Sequence, residues 1–111
     1  MPNVSAVQHL TSPARVFVSR AAYDVVRAES RRFTFRETGG VLFGYRVGTE
    51  VVVTAATGPG PRARHGARSF EPDSAYCQRL LGAVYRESGG AIAYQGDWHT
   101  HPHGAVEPSE L

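Results

Sequence analysis

The chain contains no lysine: all twelve of its basic residues are arginine. Codon usage in a GC-rich genome is one reading of that bias, and selection against lysine itself is the other. Cysteine is nearly absent too. The single Cys77 excludes an intrachain disulfide framework and fits a reducing, cytoplasmic setting. No apolar run approaches the roughly 20 residues that a membrane-spanning helix needs. No basic start followed by an apolar core marks a secretory leader. Charge of one sign is also scarce. The formal net charge is +2 and the arginines are scattered, which argues against a nucleic-acid partner.

What is present reads as one small globular domain. Its 111 residues can bury a real but modest core. Residues 1–14 are polar and irregular and read as a flexible lead-in, leaving a domain over 15–111. Residues 15–18 read as a short strand. Ser19 is placed to cap a helix over 20–32, with Ala22, Val25, Val26 and Glu29 at helical spacing. The pair Gly39-Gly40 then punctuates the chain. Residues 41–46 and 50–56 are apolar, β-branched runs that form a hairpin. The stretch 58–69 is a long basic loop in which Gly and Pro forbid regular structure. Asp73 or Ser74 caps a second helix over 74–87, with Tyr76, Leu80, Leu81 and Val84 inward. Ser88-Gly89-Gly90 ends it, and a last strand covers 91–101. The order predicts an α/β fold: a mixed sheet flanked by two helices, with Cys77 as a small core residue.

The chemistry concentrates near the end. Two histidines two apart on a strand share a face, so His99 and His101 have Cα atoms about 6.7 Å apart. Neutral imidazoles so placed can share one Zn²⁺. Trp98 and Thr100 point the other way, and Pro102 stops the strand. Asp97 has the same parity, but its Cα lies about 13 Å from that of His101. It is therefore read as a carboxylate holding His99 in one tautomer, or as a surface residue. Glu37, at the mouth of the strand opened by Gly39-Gly40, can reach into a site. Pro108-Ser109-Glu110 reads as a helix start. Ser109 can cap that helix and can also donate a hydrogen bond to a developing oxyanion. Arg62, Arg64 and Arg68 either are simply solvated or guide the extended tail of a protein substrate. His65 and His103 lack the spacing of metal ligands.

Together these residues resemble the JAMM/MPN metalloprotease motif: an upstream Glu, then His-x-His-Pro, six residues, Ser, two residues and Asp. Glu37 stands in Glu37-Thr38-Gly39-Gly40-Val41-Leu42-Phe43-Gly44. His99-Thr100-His101-Pro102 matches the second block, and His103 to Pro108 are the six residues before Ser109. The wording is most similar to the prokaryotic JAB branch, whose deconjugating peptidases accompany conjugation and anti-phage systems. Thr57-Gly58-Pro59-Gly60-Pro61 and Gly96-Asp97-Trp98 support that branch.

The resemblance implies an MPN-like, cytidine-deaminase-like fold and a Zn²⁺ cofactor bound by His99 and His101. Glu37 is then the group that deprotonates the attacking water and protonates the leaving amine, and Ser109 the oxyanion donor. The implied reaction cleaves an amide or isopeptide bond after the C-terminal tail of a ubiquitin-like protein. A sulfur-carrier protein is the alternative substrate, and a catalytically inactive MPN-type scaffold the alternative role. The motif's Asp would follow Leu111, so the chain is expected to be a domain cut short at its C-terminal end, with an Asp next in the gene. Without that ligand, this form is expected to bind zinc weakly and to be inactive or nearly so. A zinc nucleobase deaminase is excluded, because its Pro-Cys-x-x-Cys block is absent.

Overall fold

The computed structural model describes residues 15–101 and 106–108. In chain order the elements are β1 (Arg15–Val18), α1 (Arg20–Arg32), β2 (Gly39–Val47), β3 (Glu50–Ala56), β4 (Arg64–His65), β5 (Phe70–Glu71), α2 (Ser74–Glu87), β6 (Ala93–Thr100) and β7 (Val106–Pro108). Five strands form one sheet in the order β1-β3-β2-β6-β7. β1 runs parallel to β3, and the other neighbours are antiparallel. The mixed sheet flanked by helices that the sequence predicts is therefore present.

Strand alternation assigns each helix a face. Leu42, Val51, Val53 and Trp98 point one way and pack on Ala22 of α1. Val41 and Phe43 point the other way and pack on Cys77 of α2. β2 lies between β3 and β6 and is covered on both faces, which is why its run from Gly39 to Gly44 is buried throughout. Both helices start on side-chain caps. Ser19 Oγ accepts from the Ala22 N–H at 3.1 Å, and Asp73 Oδ1 accepts from the Tyr76 N–H at 3.1 Å. The two-residue turn between β2 and β3 holds Gly48 at φ +60°, a left-handed value that costs glycine no Cβ clash.

Several sequence expectations need correction. Val25 is 37% exposed, whereas its helical neighbours Ala22 and Glu29 are buried. Glu29 is an interior carboxylate with two partners: Thr38 Oγ1 donates to it at 3.3 Å and the Arg32 guanidinium at 3.2 Å. The 58–69 loop is not wholly irregular, because β4 pairs with β5 across a turn. Gly and Pro bar a strand at 58–61, but not the two residues Arg64 and His65. β2 starts at Gly39 rather than at residue 41. β6 is shorter than expected, because Ser88 Oγ accepts the Ile92 N–H at 2.9 Å and folds residues 88–92 into a turn. A fifth strand was not foreseen. Pro108, read as a helix start, belongs to β7 and lies opposite Trp98. The expectations for residues 1–14, Pro102, His103 and Ser109 fall outside the described residues.

Candidate functional site

The site is built on the pairing of β2 with β6. Gly39 lies opposite His99 and Gly40 opposite Trp98. The Thr100 N–H continues this register by donating to the Thr38 carbonyl at 2.9 Å. Thr38 N–H in turn donates to Thr100 Oγ1 at 3.1 Å. Glu37 thus falls at the register position opposite His101, on the face that also carries Gly39, Asp97 and His99. Trp98 and Thr100 point into the core at 3% and 0% exposure, which leaves the half-buried Asp97, His99 and His101 on the other face.

The glycine pair serves both faces. A Cβ on Gly39 would meet the Trp98 carbonyl and come within 3.1 Å of His99 Cβ and 3.0 Å of the Phe70 ring. Its absence leaves room beside His99. A Cβ on Gly40 would strike the Thr57 carbonyl, the same carbonyl that accepts the Trp98 indole N–H at 2.9 Å. The indole is thereby fixed behind the histidines.

His99 and His101 have ring centroids 5.1 Å apart with planes at 76°. Two imidazoles on one tetrahedral zinc, with Zn–N near 2.1 Å, have centroids about 5 Å apart. The spacing therefore fits a shared ion. Among the described residues, no group of three or more His, Cys, Asp or Glu is close enough to hold a metal. Burial pushes the Asp97 carboxyl up from the usual carboxylate value, opposed by the Tyr94 hydroxyl, which donates to Oδ1 at 3.0 Å, and by the neighbouring His99.

A cavity of about 290 Å³ adjoins this face. It is lined by Glu37, Val41, Phe70, Asp97, Trp98 and His99, with Gly40 and Pro72. A larger hollow of about 720 Å³ lies between α1 and the 58–61 segment. Neither His99 nor His101 lines it, so the smaller cavity is the one next to the chemistry. Arg62, Arg64 and Arg68 are exposed and line neither cavity. Phe70 and His65 were not foreseen as parts of the site. Phe70 forms a wall of the cavity, and His65 Nδ1 lies 2.9 Å from the Glu37 carbonyl. No spacing rule could have found them, because both arrive through the β4–β5 turn.

Comparison with known proteins gives a consistent answer. Residues 19–111 match the family described as prokaryotic homologs of the JAB domain. The chain is 33% identical over 99 residues to "Probable metalloprotease y4qB" of Sinorhizobium fredii, covering 87% of this chain and 60% of that protein. It is 34% identical over 88 residues to a "CD-NTase/cGAS isopeptidase" of Escherichia coli, covering 77% of this chain and 56% of that one. The chain thus spans somewhat more than half the length of these relatives. The solution structure of protein DSY2949 from Desulfitobacterium hafniense shares the fold, with a TM-score of 0.62 at 21% identity over 78% of this chain and 57% of that one. With the family match spanning both the Glu37 and the His99–His101 segments, the chain belongs to the prokaryotic homologs of the JAB domain.

Proposed function

We propose that this domain hydrolyses an amide or isopeptide bond that follows the C-terminal tail of a ubiquitin-like protein, in the cytoplasm and with zinc as cofactor. The observation that carries this reading is that Glu37 and His99 line one cavity, while the His101 ring lies 5.1 Å from that of His99. His99 and His101 would hold the zinc. When bound, the ion supplies Lewis acidity, which brings the pKa of water to about 7 and polarises a carbonyl. Glu37, half-buried at the cavity wall, takes a proton from the attacking water and returns it to the leaving amine. Asp97 steadies His99 from within the same strand. Ser109 takes the oxyanion-donor role on its spacing from His101 alone. Arg62, Arg64 and Arg68 meet the substrate protein outside the cavity. The names of the relatives make a conjugated CD-NTase the first substrate to try; a sulfur-carrier precursor is the second.

The test has two parts. Excess zinc should raise the melting temperature of the parent chain, because a ligand that binds only the folded state stabilises it. His99→Ala and His101→Ala should abolish that rise. The second part, run on a chain lengthened through the motif's Asp, measures cleavage of ubiquitin, or a CD-NTase, joined through its C-terminal carboxyl to the lysine of a fluorescent peptide. Glu37→Gln should keep the zinc-dependent rise and lose about 10²–10⁴-fold in turnover. No thermal response to zinc, together with a Glu37→Gln variant that matches the parent, would instead favour a non-catalytic scaffold.

A further inference from the structure

His65 is a side chain to which neither the family motif nor the proposed chemistry gives a task. It sits at the end of β4, 28 residues from Glu37 in sequence. Its Nδ1 lies 2.9 Å from the Glu37 carbonyl. A carbonyl only accepts, so this nitrogen carries the hydrogen. One residue on, the Gly66 carbonyl accepts the Glu37 N–H at 2.7 Å. The peptide groups on both sides of Glu37 Cα are thus held by the same turn.

That turn is itself fixed. The His65 ring stacks on Phe33, the residue that ends α1, with centroids 3.9 Å apart and planes at 11°. It also leans on Phe70 at 5.5 Å and 43°. The Gly66 N–H donates to the Ser69 carbonyl at 2.8 Å, which closes the turn. Phe70 then reaches the cavity wall shared with Glu37 and His99.

Glu37 needs such support. It follows a segment without helix or strand, in which Phe35 is 73% exposed. A general base displaced by about 1 Å can lose 10²-fold in rate. We infer that His65 is a positioning residue: its ring, clamped between two phenylalanines, fixes the Glu37 main chain and so aims the carboxylate at the histidine face. The imidazole acts on Glu37 through the backbone and takes no proton from substrate. This inference rests on the proposed role of Glu37 in proton transfer.

The experiment compares His65→Phe with His65→Asn in the full chain. Phenylalanine keeps the stack and removes the donor, whereas the asparagine amide restores a donor near the Nδ1 position. Amide hydrogen exchange at Glu37 is read first, because it needs neither zinc nor substrate. His65→Phe should speed Glu37 exchange about tenfold or more while leaving the Thr100 amide as protected as in the parent. His65→Asn should restore part of that protection, because the donor returns without the clamped ring. In the chain lengthened through the motif's Asp, His65→Phe should lower kcat on the ubiquitin–peptide or CD-NTase–peptide probe about 10–100-fold with KM within about twofold, and the zinc-dependent rise in melting temperature should persist. Unchanged Glu37 exchange in His65→Phe overturns the inference. So does equal loss of protection at Glu37 and Thr100, which would mark a merely structural role. If Glu37→Gln turns over like the parent, the reading of Glu37 as base fails, while the exchange data still decide whether His65 holds it.

Discussion

At the scale of single residues, the site joins pieces that spacing reveals to pieces that it hides. The shared face of His99 and His101 was legible from strand alternation, although His101 lies one residue beyond the end of β6. Trp98 and Thr100 were legible for the same reason, as the buried half of the alternation. Glu37 stands out as a candidate only beside the glycine pair, and the structure explains the pair physically: each missing Cβ admits a backbone carbonyl. His65 was not legible, since its place depends on a turn closing over residues far away in sequence. The glycines give a direct test. Gly40→Ala drives a Cβ against the carbonyl that accepts the Trp98 indole N–H. Chemical denaturation should show a loss of about 1–3 kcal/mol, the usual cost of overpacking.

At the scale of elements, the two helices and the β2–β3 hairpin followed from periodicity, caps and a two-residue turn. Short pairings did not. β4 and β5 have two residues each, too few for any pattern to show, and they exist because tertiary contacts hold them. The cap of α2 carries a pH signature. The Tyr76 N–H, and after it the Arg62 N–H at 3.0 Å, draw the Asp73 carboxyl below the usual carboxylate value. A carboxylate with a lowered folded pKa stabilises the fold above its unfolded value near 3.9. That contribution is lost as pH falls through the lower folded value. Asp73→Ala should therefore melt well below the parent at pH 7, and the gap should narrow in melts below about pH 4.

At the scale of the whole molecule, the sequence gives the layered architecture but not the order of strands. Parallel pairing of β1 with β3 and the insertion of β2 between β3 and β6 are long-range choices. They are set by which faces the helices can cover. The α2 helix packs near β2 and β6, while Phe17 on the edge strand β1 and Tyr45 and Val47 at the hairpin end of β2 stay 45%, 38% and 58% exposed. The basic loop also belongs to this scale, since its arginines line neither cavity, and the proposed role for them is contact with a protein substrate. Replacing Arg62, Arg64 and Arg68 together by Ala should raise KM for the protein-linked probe and leave KM for a short peptide amide unchanged. Steady-state kinetics on the two substrates checks this, and equal changes in both would remove the loop from recognition.

The pairing of Gly39 with His99 also has a consequence for synthesis. The central strand is complete on one side as soon as the β2–β3 hairpin forms. Its other edge waits for residues 93–100, some fifty positions later in the chain. Until they leave the ribosome, Val41, Leu42 and Phe43 border a row of unpaired backbone groups, the kind of edge that recruits a neighbouring chain. A nascent or truncated form ending before Ala93 therefore carries an aggregation-prone strand, and the same closing event that hides it also brings Glu37 to the histidines.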